Sequence, residues 1–302
     1  MLKLIDYFLV KKYPEFVQLS LDDIKNNAVT IDFGNKKYYG SFVHLLYDPQ
    51  IIGVQIPDTL RFSEVLETIT HLSIDNKKNT LIDFQVKLHQ IIKLDKETVL
   101  LFEVEKTQLY ISLAEKRYVN RFYVRAIKKN NFVIKHFDTI VFDKILSFFY
   151  YPKPVYLIST ASNEERNSFP VDTCHRIDNH FIFGVRASNK LMSQVAIDEI
   201  FCMSLSDFEH KEGLYNLGNY SPEKKEISYI ENQEYGIKIP HIISKYQFVS
   251  LVKIHSYLNQ NIYVAKVISE EFVVTKLPFL AHIHKFWLLP HHEKLHPNLN
   301  SV

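Results

Sequence analysis

Glycine is scarce, with 7 residues among 302, roughly a third of its usual share. No G-x-G-x-x-G can be written, and the single G-x-x-x-x-G, Gly213 to Gly218, runs into Asn219 instead of lysine. A dinucleotide-binding Rossmann turn and a phosphate-binding P-loop are thereby excluded. Cysteine occurs twice, at Cys174 and Cys202, too few for a disulfide framework or a four-cysteine zinc site; a reducing, cytoplasmic setting is expected. No stretch approaches the roughly 20 apolar residues of a membrane span, and Lys3, Asp6, Lys11 and Lys12 interrupt the N-terminal apolar residues. Charge of one sign is also lacking: Lys+Arg 36 against Asp+Glu 34 leaves +2, with the signs interspersed. Neither nucleic acid nor a membrane surface is expected as a partner.

Aromatic residues make up 14% and all hydrophobics 46% of the chain, the composition of a folded protein rich in aromatic strands. Strand patterns recur at Ala28–Phe33, Ile51–Ile56, Thr98–Val104 and Arg121–Ile127. Helical spacing is confined to Pro14–Lys25, Arg61–Ile69 and Lys190–Ile200. The expected class is mainly β with a few short helices, in barrels or sandwiches rather than a parallel βαβ array.

The two halves repeat one another in order. Ser41-Phe42-Val43 answers to Ser168-Phe169 with Val171, Ile52-Gly53-Val54 to Phe183-Gly184-Val185, and Leu72-Ser73-Ile74 to Met203-Ser204-Leu205. Later, Ile91-Ile92-Lys93-Leu94 answers to Leu251-Val252-Lys253-Ile254, and Phe102-Glu103-Val104 to Ala265-Lys266-Val267. Such order predicts an internal duplication, with domains over 1–140 and 141–290 and a C-terminal tail over 291–302. The polar, turn-rich stretch Glu209–Ile239 is expected to be a surface excursion of the second copy.

In the second half, Pro154-Val-Tyr-Leu-Ile-Ser-Thr160, a polar turn, Asn167-Ser-Phe-Pro-Val-Asp172 and Phe181-Ile-Phe-Gly-Val-Arg186-Ala-Ser-Asn-Lys190 resemble the flavin reductase-like family of FMN-binding split β-barrels. Phe201–Leu205 and the late strands around Phe248–Ile254 and Ile262–Val267 extend the likeness to about residues 145–290. The resemblance implies a tandem split β-barrel, an FMN cofactor, and NADH or NADPH as electron donor. Family members usually pair as dimers with flavin at the interface, so either a homodimer or an internal pseudo-dimer is implied.

A flavin mononucleotide needs a phosphate cradle and a polar strand edge facing its ring. Arg186, Ser188, Asn189 and Lys190 place two cations, a hydroxyl and an amide at a strand-to-helix junction, where free N–H groups and a helix dipole favour an anion. Asn167, Ser168, Phe169 and Asp172 are the residues expected along the ring. Leu191 stands where the family commonly has threonine, leaving Ser193 or Gln194 to supply the missing phosphate contact. The first copy has Gln55-Ile-Pro-Asp-Thr59 at the corresponding place and is expected not to bind.

Other chemistries fit less well. His282, His284, His291, His292 and His296 cluster near the C-terminus with only Glu293 as an acidic neighbour, so no metal site is expected. His175 and His180 are candidates for substrate contact or proton transfer, while no serine stands in a G-x-S-x-G elbow. Three readings remain: a flavin reductase-like oxidoreductase, a split barrel for another ligand such as haem or a modified flavin, and a non-catalytic interaction module.

Overall fold

The computed structural model describes residues 16–19, 28–33, 36–46, 49–57, 69, 71–75, 80–110, 143, 147, 153–161, 167–206, 210–217, 227–243, 245–272 and 279–282. Within them the chain is mainly β. Strands β2 (Ala28–Phe33), β3 (Lys36–Leu46), β4 (Ile51–Pro57), β5 (His71–Asp75), β6 (Thr80–Lys93) and β7 (Glu97–Leu109) close a barrel in the order β2-β3-β4-β7-β6-β5.

The second half builds a seven-stranded sheet from β9 (Tyr156–Ser159), β10 (Ser168–Val171), β11 (Cys174–Ile177), β12 (His180–Arg186), β13 (Ile200–Leu205), β16 (Lys245–Ser256) and β17 (Gln260–Phe272), ordered β10-β9-β13-β16-β17-β12-β11. Its two edges, β10 and β11, are joined only by Asp172 and Thr173. A flat sheet of that width would separate its edges by about 29 Å, whereas three Cα steps reach about 11 Å. The sheet must therefore curl until its edges meet, which makes it a split barrel. Thr173 fastens the junction, its carbonyl accepting from Gly184 N–H at 2.9 Å and its hydroxyl donating to the Gly184 carbonyl at 2.7 Å.

Pairing follows the same circuit in both halves, with β9, β13, β16, β17 and β12 in the places of β2, β5, β6, β7 and β4, and β10 plus β11 together in that of β3. Register deepens the match. The β6–β7 ladder breaks at Gln85/Val86 and Leu88/Gln90, and the β16–β17 ladder at Phe248/Val249 and Leu251/Lys253, the same positions 163 residues on (85 to 248 and 88 to 251). Both hairpins close alike, through Leu94 N to Glu97 O and Tyr257 N to Gln260 O, each at 2.9 Å. This register sets Leu72-Ser73-Ile74 on Met203-Ser204-Leu205 and Phe102 on Ala265. It shifts other expected pairs: Gly184 corresponds to Gln55 rather than Gly53, and Ile91 to Ile254 rather than Leu251. Apolar triplets tolerate a two- or three-residue slip that hydrogen-bonded ladders do not.

The same three strands of each barrel face one another. Val43, Leu45, Leu46, Ile51, Val99 and Leu101 from the first pack with Ile177, Ile182, Ile262 and Val264 from the second. The seam explains why β12 is apolar without alternation. Phe181, Phe183 and Val185 fill the second barrel's interior, while Ile182 faces the first barrel and Gly184 is in contact with it. A Cβ at Gly184 would sit 1.8 Å from the Leu45 carbonyl oxygen, so only glycine permits this approach. The interior is filled by side chains, with Phe183 stacked on Tyr263 at 5.4 Å, and a ligand must therefore bind outside it.

Two expectations change, and the excursion gains structure of its own. Phe16–Leu19 (β1) is a strand rather than helix, paired with β18 (Phe279–His282), which also pairs with β8 (Lys153–Pro154). Lys190–Ile200 yields only a one-turn 3-10 helix, Met192–Gln194, because Val195 turns extended. The Glu209–Ile239 excursion is no loose loop: helix α1 (Lys211–Leu217) and the hairpin of β14 (Tyr229–Asn232) and β15 (Ile237–Pro240) bury Leu214, Leu217, Ile237 and Ile239 against Leu157, Cys202 and Phe248. The expected helix at Arg61–Ile69 (save Ile69), the strand at Arg121–Ile127 and the tail lie outside the described residues. Among the described residues no helix is long and apolar enough to cross a membrane.

Candidate functional site

Strand β12 ends at Arg186, opposite Gln260 of the β16–β17 hairpin. The chain then turns, with Ala187 N–H donating to the Asn259 carbonyl and Asn189 N–H to that of Arg186, each at 2.9 Å. Asn189 does not face outward as a free amide. Its Oδ1 accepts from Met192 N–H at 3.0 Å, its carbonyl from Ser193 N–H, and Ser193 Oγ donates to the Lys190 carbonyl. Asn189 and Ser193 thus shape the turn. Arg186, Ser188, Lys190 and Gln194 are exposed around it, and the N–H groups of Ser188, Lys190 and Leu191 have no hydrogen-bond partner among the described residues. Three such amides with two cations suit an anion. The dipole of a following helix, by contrast, is not there to help, since a single 3-10 turn has almost none.

The other four residues lie on the joining edge of the barrel, and their side chains differ in availability. Asn167 is buried, its Nδ2 donating to the carbonyls of Thr160 at 2.9 Å and Lys238 at 2.7 Å. Ser168 Oγ donates to Asn167 Oδ1 at 3.0 Å and lies 2.8 Å from Ser159 Oγ. These two side chains fasten β10 to β9 and to the β15 excursion, and β10 itself is an edge strand of the sheet. Phe169 is half-buried against the barrel core, and Asp172 is half-exposed where β10 passes to β11. Thr173, next to Asp172, holds Gly184, two residues before Arg186, and Asp172 acts electrostatically on the buried Lys153. The strand junction at Thr173–Gly184 lies in sequence between the two groups of candidates.

Both histidine candidates are neutral near pH 7. Burial brings His175 down to about 4, and His180 is lowered chiefly by burial, against the pull of Asp95. Cys174 points into the core, where burial raises its thiol, so no thiolate forms beside His175. Among the described residues no group of histidine, cysteine and carboxylate ligands could hold a metal; His284, His291, His292 and His296 lie outside them.

A buried polar cluster escaped the sequence reading. His44 and Gln50 are fully buried in the first barrel, Gln50 Nε2 lying 3.4 Å from His44 Nδ1 and donating to Ser147 Oγ at 3.2 Å. Lys153 is buried beside them, brought down to about 7 by burial against the opposing pull of Asp172. The visible signals were a lone histidine within Phe42-Val-His-Leu-Leu46 and a lysine between Pro152 and Pro154.

No protein-family model matches the chain, and no curated protein is significantly similar to it. Solved structures with similar stretches include an NADH:FAD oxidoreductase of Streptomyces globisporus in complex with NAD and FAD fragments (10% identity over 48% of this chain and 88% of that one, TM-score 0.42). Others are a flavin reductase domain protein from an Arthrobacter species (12%, 46% and 90%, TM-score 0.40) and the flavin reductase HpaC complexed with NADP+ (18%, 47% and 92%, TM-score 0.40).

Proposed function

We propose that the chain is a flavin-binding oxidoreductase of the flavin reductase-like kind, holding one FMN on its second barrel. The observation that carries this is the Arg186–Leu191 turn. It offers three N–H groups without a partner among the described residues and two exposed cations at the end of β12, next to the strand junction that carries Asp172. Ser188, Lys190 and Leu191 N–H with Arg186 and Lys190 would take the phosphate. The outer edge of β10, from Asn167 to Asp172, would face the isoalloxazine, with Gln194 at the rim. The flavin itself supplies hydride and electron transfer, from NADH or NADPH to a free flavin or other small acceptor. The protein's own contribution is anchoring and orientation.

On this reading the two barrels are duplicated domains, 1–140 and 141–290, whose seam is an internal pseudo-dimer, and the protein works in the cytoplasm. The first copy has Pro57 where the second has Arg186 and acts as a wall rather than a second binding site. The test is the visible spectrum of the purified protein, before and after adding FMN and removing excess by gel filtration. About one retained flavin per chain supports the proposal, and a colourless protein that refuses FMN sinks it. A second reading, a non-catalytic split-barrel module, is favoured by the internal engagement of Asn167 and Ser168.

A further inference from the structure

Lys153 is 2% exposed, and a lysine is seldom buried so far unless it is paired or serves a site. Strand β8 holds it, with His282 of β18 as its register partner. His44 of β3, itself fully buried, lies near enough for the two to act on one another. Gln50 Nε2, 3.4 Å from His44 Nδ1, ties that ring to Ser147 Oγ at 3.2 Å. From the second barrel, Asp172 is the carboxylate that acts on Lys153. Burial and Lys153 together keep His44 neutral, so among these described side chains a change of charge near pH 7 falls on Lys153, which burial brings down to about 7.

The path from Lys153 to the candidate site is short. The β9–β10 ladder ends with Tyr156 opposite Val171; Asp172 follows Val171, and Lys153 stands three residues before Tyr156. Asp172 is half-exposed beside Thr173. One end of the Lys153–Asp172 pair is therefore closed off from water, and the other opens on the end of β10 that the flavin reading uses. The first barrel lacks this pair. Its ladders set Ala28 opposite Ser41 and Ile31 opposite Leu72. Ile31 opposite Leu72 matches Ile158 opposite Met203, which puts Ser41 in the place of Asp172. By the same count along the sequence, Asn26 stands for Lys153. Opposite charges thus occur in the barrel that carries the Arg186–Leu191 turn, and neutral residues stand at both places in the other.

We infer that Lys153 is a positioning residue for the site, acting through Asp172: its buried ammonium sets the net charge that Asp172 presents, so that affinity for an anionic ligand rises as the pH falls. This rests on the flavin reading and adds its regulation. Below about pH 7 Lys153 is charged and offsets the Asp172 carboxylate, leaving Arg186 and Lys190 to attract the phosphate. Above it Lys153 is neutral, and Asp172 turns an uncompensated negative charge towards the ligand. By linkage, binding of the anion draws a proton onto Lys153.

The test titrates FMN into wild-type protein, Lys153→Met and Asp172→Asn between about pH 6 and 9, by fluorescence quenching and by calorimetry. Calorimetry in two buffers of different ionisation enthalpy reads the proton taken up on binding. The second ionisation of the FMN phosphate is common to all three proteins and cancels in their differences. Beyond that common change, wild type should bind about fivefold more tightly at the acid end, the range of a charge interaction at a half-exposed group. K153M should lose this excess and stay at the weak level, D172N should lose it and stay at the tight level, and both should lose the extra proton uptake. FMN binding with one pH profile and one proton uptake in all three proteins overturns the role of Lys153 and leaves the flavin proposal standing. A wild-type profile in D172N alone also overturns it, because the effect must pass through Asp172. Refusal of FMN by all three proteins at every pH overturns both proposals. Methionine occupies a buried site without a charge and Asp172 is half-exposed, so circular dichroism should show both variants folded; D172N decides by itself if K153M does not fold.

Discussion

Replacing Gly184 with alanine tests the seam most directly. The added Cβ would lie 1.8 Å from the Leu45 carbonyl oxygen, 2.8 Å from its carbonyl carbon and 2.8 Å from Leu46 Cδ2. Two of these atoms are backbone of β3 and cannot rotate aside, so β3 and β12 must part by about 1.6 Å to restore ordinary contact. A buried leucine makes roughly 40–60 contacts of ~0.1–0.2 kcal/mol, and a gap of this size forfeits about half of those it spans. If about a third of the contacts of Leu45 and Leu46 cross the seam, the loss is about 2–3 kcal/mol, which agrees with measured costs of overpacking. Gly53→Ala is the matched control. Its Cβ would meet the side-chain ends of Leu45 at 3.0 Å and Val43 at 3.3 Å, which can yield, and the cost should stay under about 1 kcal/mol. Urea unfolding followed by circular dichroism measures both. A G184A midpoint equal to wild type, or a larger loss in G53A, would refute the close approach of the barrels.

Three further outcomes follow from named residues. Arg186→Ala with Lys190→Ala should lower FMN affinity by at least about tenfold, the value of one charge-assisted hydrogen bond, without moving the unfolding midpoint; equilibrium dialysis decides. Asn167→Ala deletes two donors and the acceptor of Ser168 in a buried site, and should cost about 2–3 kcal/mol in denaturant unfolding. Lys153 sets a pH dependence. Its folded pKa of about 7 lies below the ordinary lysine value of 10.5, so between those values the unfolded chain binds the extra proton and stability rises with pH. Lys153→Met should flatten that rise from about pH 7 to 10, whereas an identical slope in the variant would mean that the lysine is not buried in its charged-disfavouring site.

The strand content was legible because aromatic and β-branched residues cluster in short runs: Ala28–Phe33, Ile51–Ile56 and Thr98–Val104 all fall within strands. The shared order of strands was visible along the chain, yet the register between the halves was not, since a slip of two residues keeps apolar triplets matched while bulges and hairpin closures, which are hydrogen-bonded, fix it. Residues 190–200 carry apolar residues at helical spacing, but the chain turns extended at Val195, which leaves one 3-10 turn. The family resemblance set Asn167 and Ser168 along the ring, and the sequence did not show that their side chains are bonded within the fold. Their partners, the carbonyls of Thr160 and Lys238, come from distant segments that local sequence does not connect.

By itself, then, the sequence determined what depends on composition and on neighbours along the chain: the β class, the absence of nucleotide-binding glycine loops, and the cations of the Arg186–Lys190 turn. Only the tertiary structure decided what depends on long-range approach. It brought Leu45 onto Gly184 and set His89 against Tyr257, residues 139 and 168 positions apart (45 to 184 and 89 to 257). It also buried Lys153 in a site that disfavours its charge. A side chain's chemistry belongs to its residue, but its solvation and its partners belong to the fold.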